Sequence, residues 1–279
     1  MLWCCSRKID PFQPIEAHVL EYLVYIFHQG CSYSVVNTHK SMLVQTLPLL
    51  GVKWDMSSTL MSRLMKGFFN SKPPKPRYSF TWDVSKVLNF LKTLFPLEGL
   101  SLKMLTLKLV ALLALTSASR VQALQYLNVN NLSISGDKAI FLITSLEKTS
   151  RRGKTSRKIE LLRFHKDKRL CVVKTLEEYI SRTLDRQSSN LFVSFKTFRA
   201  VTTSTIARWL KEVLCCSGID SSFTAHSFRG ASTSAALMSG VQLADILRTA
   251  DWSRASTFRT YYSREVIEPS NFASGVLNQ

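Results

Sequence analysis

Apolar residues recur at helical spacing in three stretches near the start of the chain. Residues 15–29 (IEAHVLEYLVYIFHQ) stop at Gly30, and residues 34–50 and 58–69 repeat the pattern, the last within the basic run MSRLMKGFF. This spacing predicts a small domain of three or four short helices carrying Lys and Arg. The pattern then breaks at Ser71-Lys72-Pro73-Pro74-Lys75-Pro76-Arg77. Three prolines fix φ and remove backbone donors, so a stiff, extended connector is expected between one domain at 1–72 and another at 78–279, with 73–77 as the linker. Beyond it, Trp82–Leu94 and Leu102–Ser117 read as helices. The second is apolar on nearly every face and is therefore expected at the centre of a core. Leu132–Ser135, Ala139–Ser145 and Ile159–Leu162 read as antiparallel strands, the first turn supplied by Gly136-Asp137-Lys138. Residues 171–184 read as a helix, Leu191–Phe195 as a short strand, Ser204–Leu214 as a helix, and another helix follows Thr224. The fold class expected is mainly α with a small antiparallel β-sheet.

Charge changes the picture. The chain holds 37 Lys+Arg against 19 Asp+Glu in 279 residues, a formal net charge of +18. That excess repels itself unless it meets a polyanion, and nucleic acid gains by releasing counterions. A membrane surface would require a basic amphipathic helix or a long apolar span. The longest apolar stretch, Leu105–Leu115, is interrupted by Lys108 and is too short to cross a bilayer. The start MLWCCSRKID lacks the layout of a signal peptide, so an intracellular protein is expected. The six cysteines (Cys4, Cys5, Cys31, Cys171, Cys215, Cys216) have no CxxC or zinc-like spacing and read as reduced packing residues, with no metal site.

Two basic segments stand out. Six of the thirteen residues from Leu146 to Lys158 are Lys or Arg, including Lys148, Arg151, Arg152, Lys154 and Arg157, and they fall between two predicted strands. A solvated hairpin tip would tolerate them, but this density suits a DNA groove better. Lys72, Lys75 and Arg77 in the connector suit a strap along a phosphate backbone as well as they suit an ordinary solvated linker.

Candidate chemistry gathers late in the chain. His226-Ser227-Phe228-Arg229 puts an imidazole and a guanidinium at i and i+3, on one helix face, with Thr224 as the expected N-cap. An imidazole moves protons and a planar guanidinium grips two phosphate oxygens. Trp252, Tyr261 and Tyr262 follow. On their own, HxxR is usually a surface accident and a Tyr-Tyr pair usually packing. Arg120 adds weight: it follows the buried helix, and the nearest carboxylates in sequence are Glu98 and Asp137. A buried charge needs company, so Arg120 is a candidate for an external anion.

The ordered set Arg120, Lys148, His226-x-x-Arg229, Trp252 and a tyrosine resembles the signature of the tyrosine recombinase (phage integrase) family. Residues 226–262, LEKTSRRGK, and PPKPRYSFTWDV at 73–84 look most like the recombinases of tyrosine-recombinase retroelements and related eukaryotic mobile elements. The resemblance implies a helical core-binding domain followed by a mixed α/β catalytic domain, forming a C-shaped clamp on double-stranded DNA. It also implies a nuclear location and assembly as a tetramer on DNA, through the C-terminal segment Val266–Gln279. The activity implied is site-specific cleavage and rejoining through a 3′-phosphotyrosyl link, with neither metal nor nucleotide cofactor.

The roles carried over are these. Arg120 and Arg229 would hold the non-bridging phosphate oxygens, Lys148 would protonate the leaving 5′-oxygen, and His226 would assist proton transfer. Trp252 stands where the family has His or Trp. The nucleophile in bacterial members follows that residue by nine positions, which selects Tyr261. The tract TADWSRASTFRTYYSRE matches the retroelement spacing ADWS-x-x-STF-x-x-FYxR better, which selects Tyr262. Ala123 departs from the family, many members having a carboxylate there to brace the first arginine, so backbone carbonyls are expected to orient Arg120 instead. A catalytically weakened DNA-binding descendant is the alternative reading. A basic RNA-binding or membrane-surface protein is a weaker third.

Overall fold

A computed structural model of the chain describes residues 2–52, 58–74, 78–146 and 156–264. The chain divides into two compact units, Met1–Arg77 and Tyr78–Gln279. Of the residues singled out above, Lys75, Arg77, Lys148, Arg151, Arg152 and Lys154, the segment Val266–Gln279, and the side chain of Tyr261 lie outside the described residues.

The first unit is helical: α1 (Leu2–Arg7), α2 (Glu16–His28), α3 (Tyr33–Thr46) and α4 (Thr59–Ser71). The hydroxyls of Ser32 and Ser58 accept the Val35 and Met61 N–H groups and so fix where α3 and α4 begin. Val19, Leu23 and Ile26, one stripe of α2, are buried with Val36, Leu47, Met61, Met65 and Phe68. The helix expected over 34–50 ends at Thr46. A 3₁₀ turn, Leu47–Leu50, replaces its last part, because Pro48 has no N–H to continue the α ladder, and Gly51 closes it at φ 83°. Lys72 caps α4 and donates through Nζ to the Gly30 carbonyl at 2.9 Å, although it remains exposed.

The second unit is built on α6 (Leu102–Ser117), which is preceded by α5 (Val84–Thr93) and followed by α7 (Val121–Gln125). Ser101 caps α6 by accepting the Met104 N–H. From Leu105 to Ala114 every residue of α6 is buried, as a helix apolar on nearly every face predicts. Lys108 is buried with them. Its ammonium donates to the Leu94 carbonyl at 2.6 Å and lies 5.8 Å from the Phe95 ring centroid. Burial lowers the Lys108 pKa from 10.5 to about 8.

Strands β1 (Leu132–Ser135), β2 (Lys138–Ile143) and β3 (Arg157–Leu162) form one antiparallel sheet in that order. The register runs from Ser135↔Lys138 at the Gly136 turn to Ile143↔Arg157 at the far end. Ala139, Phe141 and Ile143, with Ile159 and Leu161, alternate onto the buried face. Helices α8 (Val172–Ser181), α9 (Thr203–Cys216) and α10 (Ser227–Met238) pack on α6, and α11 (Leu243–Thr249) and α12 (Ala255–Tyr261) complete the described unit. The fold is mainly helical with one small antiparallel sheet.

The strand expected at Leu191–Phe195 does not form. Leu191 N–H goes to the Leu127 carbonyl at 2.7 Å, while Val193 makes a lone bridge to Ala200. Its backbone groups are divided between two segments, so no ladder develops.

Candidate active site

Two helix ends meet beneath α10. Helix α6 terminates at Ala118, a non-glycine residue held at φ 46°, which turns its carbonyl away from the helix axis. Helix α11 terminates at Ala250. Arg229, in the first turn of α10 and only 1% exposed, reaches both ends: Nη1 donates to the Ala118 carbonyl at 2.7 Å and Nη2 to the Ala250 carbonyl. A buried guanidinium is thus held by carbonyls at the negative ends of two helices, with no carboxylate paired to it among the described residues.

Those carbonyls leave one guanidinium nitrogen without a partner. Nε of Arg229 is buried and has no acceptor among the described residues, and the same is true of Nε1 of Trp252. The Arg229 guanidinium carbon lies 4.3 Å from the Trp252 ring centroid and 5.7 Å from that of Tyr262. Trp252, 8% exposed, belongs to a small apolar cluster with Ala118, Ile246, Ala250 and Phe258. That cluster excludes water from one side of the site, which strengthens every charge interaction there.

Burial first, and then the Arg120 charge, lower the Arg229 pKa to about 9, with Arg157 acting in the same direction and Tyr262 and Asp251 opposing. Arg229 stays cationic at neutral pH. Three guanidinium groups, those of Arg229, Arg120 and Arg157, therefore crowd one place. Like charges so arranged favour an incoming anion. Arg120 itself is the N-cap of α7 and half-buried, and its guanidinium has no hydrogen-bond or ion-pair partner among the described residues. The arginine oriented by backbone carbonyls is therefore Arg229, not Arg120 as expected from the sequence. Ala123, at the position of the missing carboxylate, is fully buried in α7.

His226 and Tyr262 close the open side. His226, not Thr224, is the N-cap of α10. Thr224 is drawn away, its hydroxyl lying 3.1 Å from that of Tyr78. His226 is exposed, and its Nε2 stands 3.3 Å from the Tyr262 hydroxyl. The Tyr262 ring lies 4.5 Å, centroid to centroid, from that of Trp252. Its backbone is fixed as well: Tyr262 N–H donates to the Phe258 carbonyl at 2.8 Å, and the buried Ser234 hydroxyl donates to the Tyr262 carbonyl at 2.8 Å. Arg264 N–H in turn donates to Ser234 Oγ at 3.1 Å.

The structure thus brings Arg120, His226, Arg229, Trp252 and Tyr262 into one basic neighbourhood. Arg157, expected on a DNA-facing hairpin, lies against it: Nη2 donates to Ser119 Oγ at 3.0 Å and to the Thr249 carbonyl at 3.3 Å. Sequence reading missed Ser119, Ser234 and the two carbonyls of Ala118 and Ala250. Ser119 neighbours Arg120 and was within reach of inspection. The carbonyls were not, since every residue has one and only the helix ends decide which are unspent.

A phenol beside an imidazole, over donors that lack acceptors, can attack a phosphate and shed its proton. The sequence profile of the Phage integrase family matches residues 83–266. No curated protein sequence matches the chain. Among solved structures, the Tn1549 transposon integrase in complex with transposon right end DNA is similar at TM-score 0.63 and 13% identity, over 95% of this chain and 85% of that one. The XerH site-specific recombinase, in a post-cleavage complex with palindromic difH substrate, is similar at TM-score 0.61 and 14% identity, over 90% and 69%. A lambda integrase dimer bound to a COC′ core site gives TM-score 0.56 and 14% identity, over 96% and 71%.

Proposed function

This chain belongs to the phage integrase family, and we propose that it is a site-specific DNA recombinase that cleaves and rejoins strands through a 3′-phosphotyrosyl intermediate. The observation that carries the reading is the pair of buried, unspent donors, Arg229 Nε–H and Trp252 Nε1–H, in two side chains that lie against the Tyr262 ring. Leaving such donors unpaired costs about 1–3 kcal/mol each, a cost removed when phosphate oxygens accept from them.

In the reaction proposed, Tyr262 Oη attacks the scissile phosphorus while its proton passes to His226 Nε2. Arg229, Arg120 and Trp252 hold the non-bridging oxygens, where negative charge peaks. The bond from phosphorus to the 5′-oxygen breaks, and Lys148 supplies that oxygen's proton. The phosphotyrosyl ester keeps the energy of the phosphodiester, so a 5′-hydroxyl can reverse the steps and reseal a strand. A phenol of ordinary pKa about 10 needs such cations to react at neutral pH. The helical unit Met1–Arg77, with the connector residues Lys72, Lys75 and Arg77 and the segment bearing Arg151, Arg152 and Lys154, supplies further contacts to duplex DNA. Exchange of strands requires several copies on DNA, a tetramer, and the nucleus is the expected compartment. The sequence tract around Tyr262 supports descent from a retroelement-type mobile element.

The test is covalent capture. Duplexes that the protein retains are selected from a random library, remade with a nick beside each candidate scissile phosphate, and incubated with the protein. A protein–DNA adduct that survives denaturation is the expected result. No adduct on any retained duplex would favour the DNA-binding descendant.

A further inference from the structure

Arg157 and Arg229 are two rungs between the same two stretches of chain. Arg229 joins the carbonyls of Ala118 and Ala250, and Arg157 joins the hydroxyl of Ser119 to the carbonyl of Thr249. Each partner of Arg157 thus sits next in sequence to a partner of Arg229. The Ser119 side is itself anchored: its hydroxyl lies 2.8 Å from that of Ser117, which donates to the Leu113 carbonyl at 2.6 Å within the buried helix α6. Between them Ala118 keeps a left-handed φ of 46°. That conformation costs a non-glycine residue roughly 1–2 kcal/mol and persists only where neighbours impose it.

We propose that Arg157 is a positioning residue for strand cleavage: by spanning Ser119 and Thr249 it fixes the separation of the Ala118 and Ala250 carbonyls, and so the aim of Arg229 Nε at the scissile phosphate. The inference rests on the recombinase reading above. Its place in the chain gives it a second consequence. Arg157 is the first residue of β3, where the chain returns from the segment carrying Lys148. The same guanidinium therefore ties the root of that segment to the site. A basic residue whose only task was to meet a phosphate backbone would not need protein acceptors on two separate segments.

The experiment compares Arg157→Gln, Arg157→Lys and Ser119→Ala with the parent, each first shown to keep its circular dichroism spectrum. Three quantities are read: the single-turnover cleavage rate at saturating nicked duplex, the DNA affinity with its salt dependence, and the hydrogen exchange of Arg229 Nε–H by ¹⁵N NMR in the free protein. Positioning predicts that Arg157→Gln slows cleavage about 10–100-fold, since a misplacement near 1 Å costs that much. Cleavage falls much further than affinity, Arg229 Nε–H exchanges several-fold faster on the order expected for local opening, and Arg157→Lys, which keeps the charge, restores part of the rate. Ser119→Ala moves rate and exchange in the same direction and more weakly, and it decides the matter if Arg157→Gln does not fold. A plain phosphate contact predicts the reverse: weaker binding, a salt slope reduced by about one, and parent-like cleavage and exchange. That result, or parent-like values throughout, overturns the proposal. Should the parent itself form no adduct, the recombinase reading fails, and Arg229 exchange alone still decides whether Arg157 sets its position.

Discussion

The Arg229 guanidinium lies 4.3 Å from the centre of the Trp252 indole, and each carries one buried N–H without an acceptor among the described residues. The contact is favourable as a cation over an aromatic face. Yet it is arranged so that both leftover donors remain unspent in the folded chain. Folding has ordered them ahead of any ligand, and because neither donor is exposed a phosphate can accept from them only once the groups that cover them shift.

Trp252→Phe separates these roles. It keeps a ring against Arg229 and removes the unspent donor, so thermal stability is expected to hold or rise by up to about 1 kcal/mol. Cleavage is expected to fall on the order of 10²-fold. Melting curves and single-turnover assays on one preparation check both. A variant that loses stability and keeps its rate would show that the indole serves packing alone.

Arg229→Lys is expected to be far harsher than its charge conservation suggests. One ammonium cannot reach the carbonyls of both Ala118 and Ala250 as the planar fork does. Stability should drop by about 1–3 kcal/mol and covalent capture by about 10²–10³-fold, measured by urea denaturation and adduct formation.

Tyr262→Phe removes one oxygen that points at His226 and leaves the ring on Trp252. DNA affinity and its salt dependence should persist while adduct formation vanishes. Tyr261→Phe should keep capture. Loss of capture in the Tyr261 variant only would move the nucleophile by one position.

Ser234→Ala should lower the cleavage rate without touching the reacting atoms, because its hydroxyl donates to the Tyr262 carbonyl and accepts the Arg264 N–H. A loss of about 10-fold is expected from a slightly displaced nucleophile, with DNA affinity unchanged. Equal rates for parent and variant would mean that Phe258, which accepts the Tyr262 N–H, suffices to hold it.

Lys108 gives a pH prediction far from the site. Below about pH 8 it is protonated both folded and unfolded, and folding carries the full cost of burying the charge. Between about 8 and 10.5 the unfolded chain binds the additional proton, so this group makes stability rise with pH. Lys108→Met removes that dependence. Urea curves should show the parent gaining on the variant by on the order of 2–3 kcal/mol from pH 7 to 10.5. Parallel pH profiles would contradict it.

Much of this was legible in the chain. The apolar run Leu105–Ala114 had to be buried all round, because no helix face was left to meet water. The alternation in Ala139–Ile143 and Ile159–Leu161 set which side of the sheet faces the core. Net charge pointed to a polyanion, and the types and order of Arg120, His226, Arg229, Trp252 and Tyr262 pointed to phosphate chemistry. Local signals that depend on distant partners failed. Thr224 has the side chain of an N-cap, but Tyr78, remote in sequence, takes its hydroxyl. Leu191–Phe195 has strand-like residues, but its backbone partners lie on separate segments.

Sequence by itself determined the helical cores and the alternation that buries one face of the sheet, and it nominated the side chains gathered at the site, since these follow from periodicity and residue chemistry. Only the tertiary structure decided how a buried arginine survives with no carboxylate paired to it among the described residues. The carbonyls of Ala118 and Ala250 become available because α6 and α11 happen to end there, side by side in space and more than a hundred residues apart in the chain. Where helix ends meet is a property of packing, and no residue type announces it.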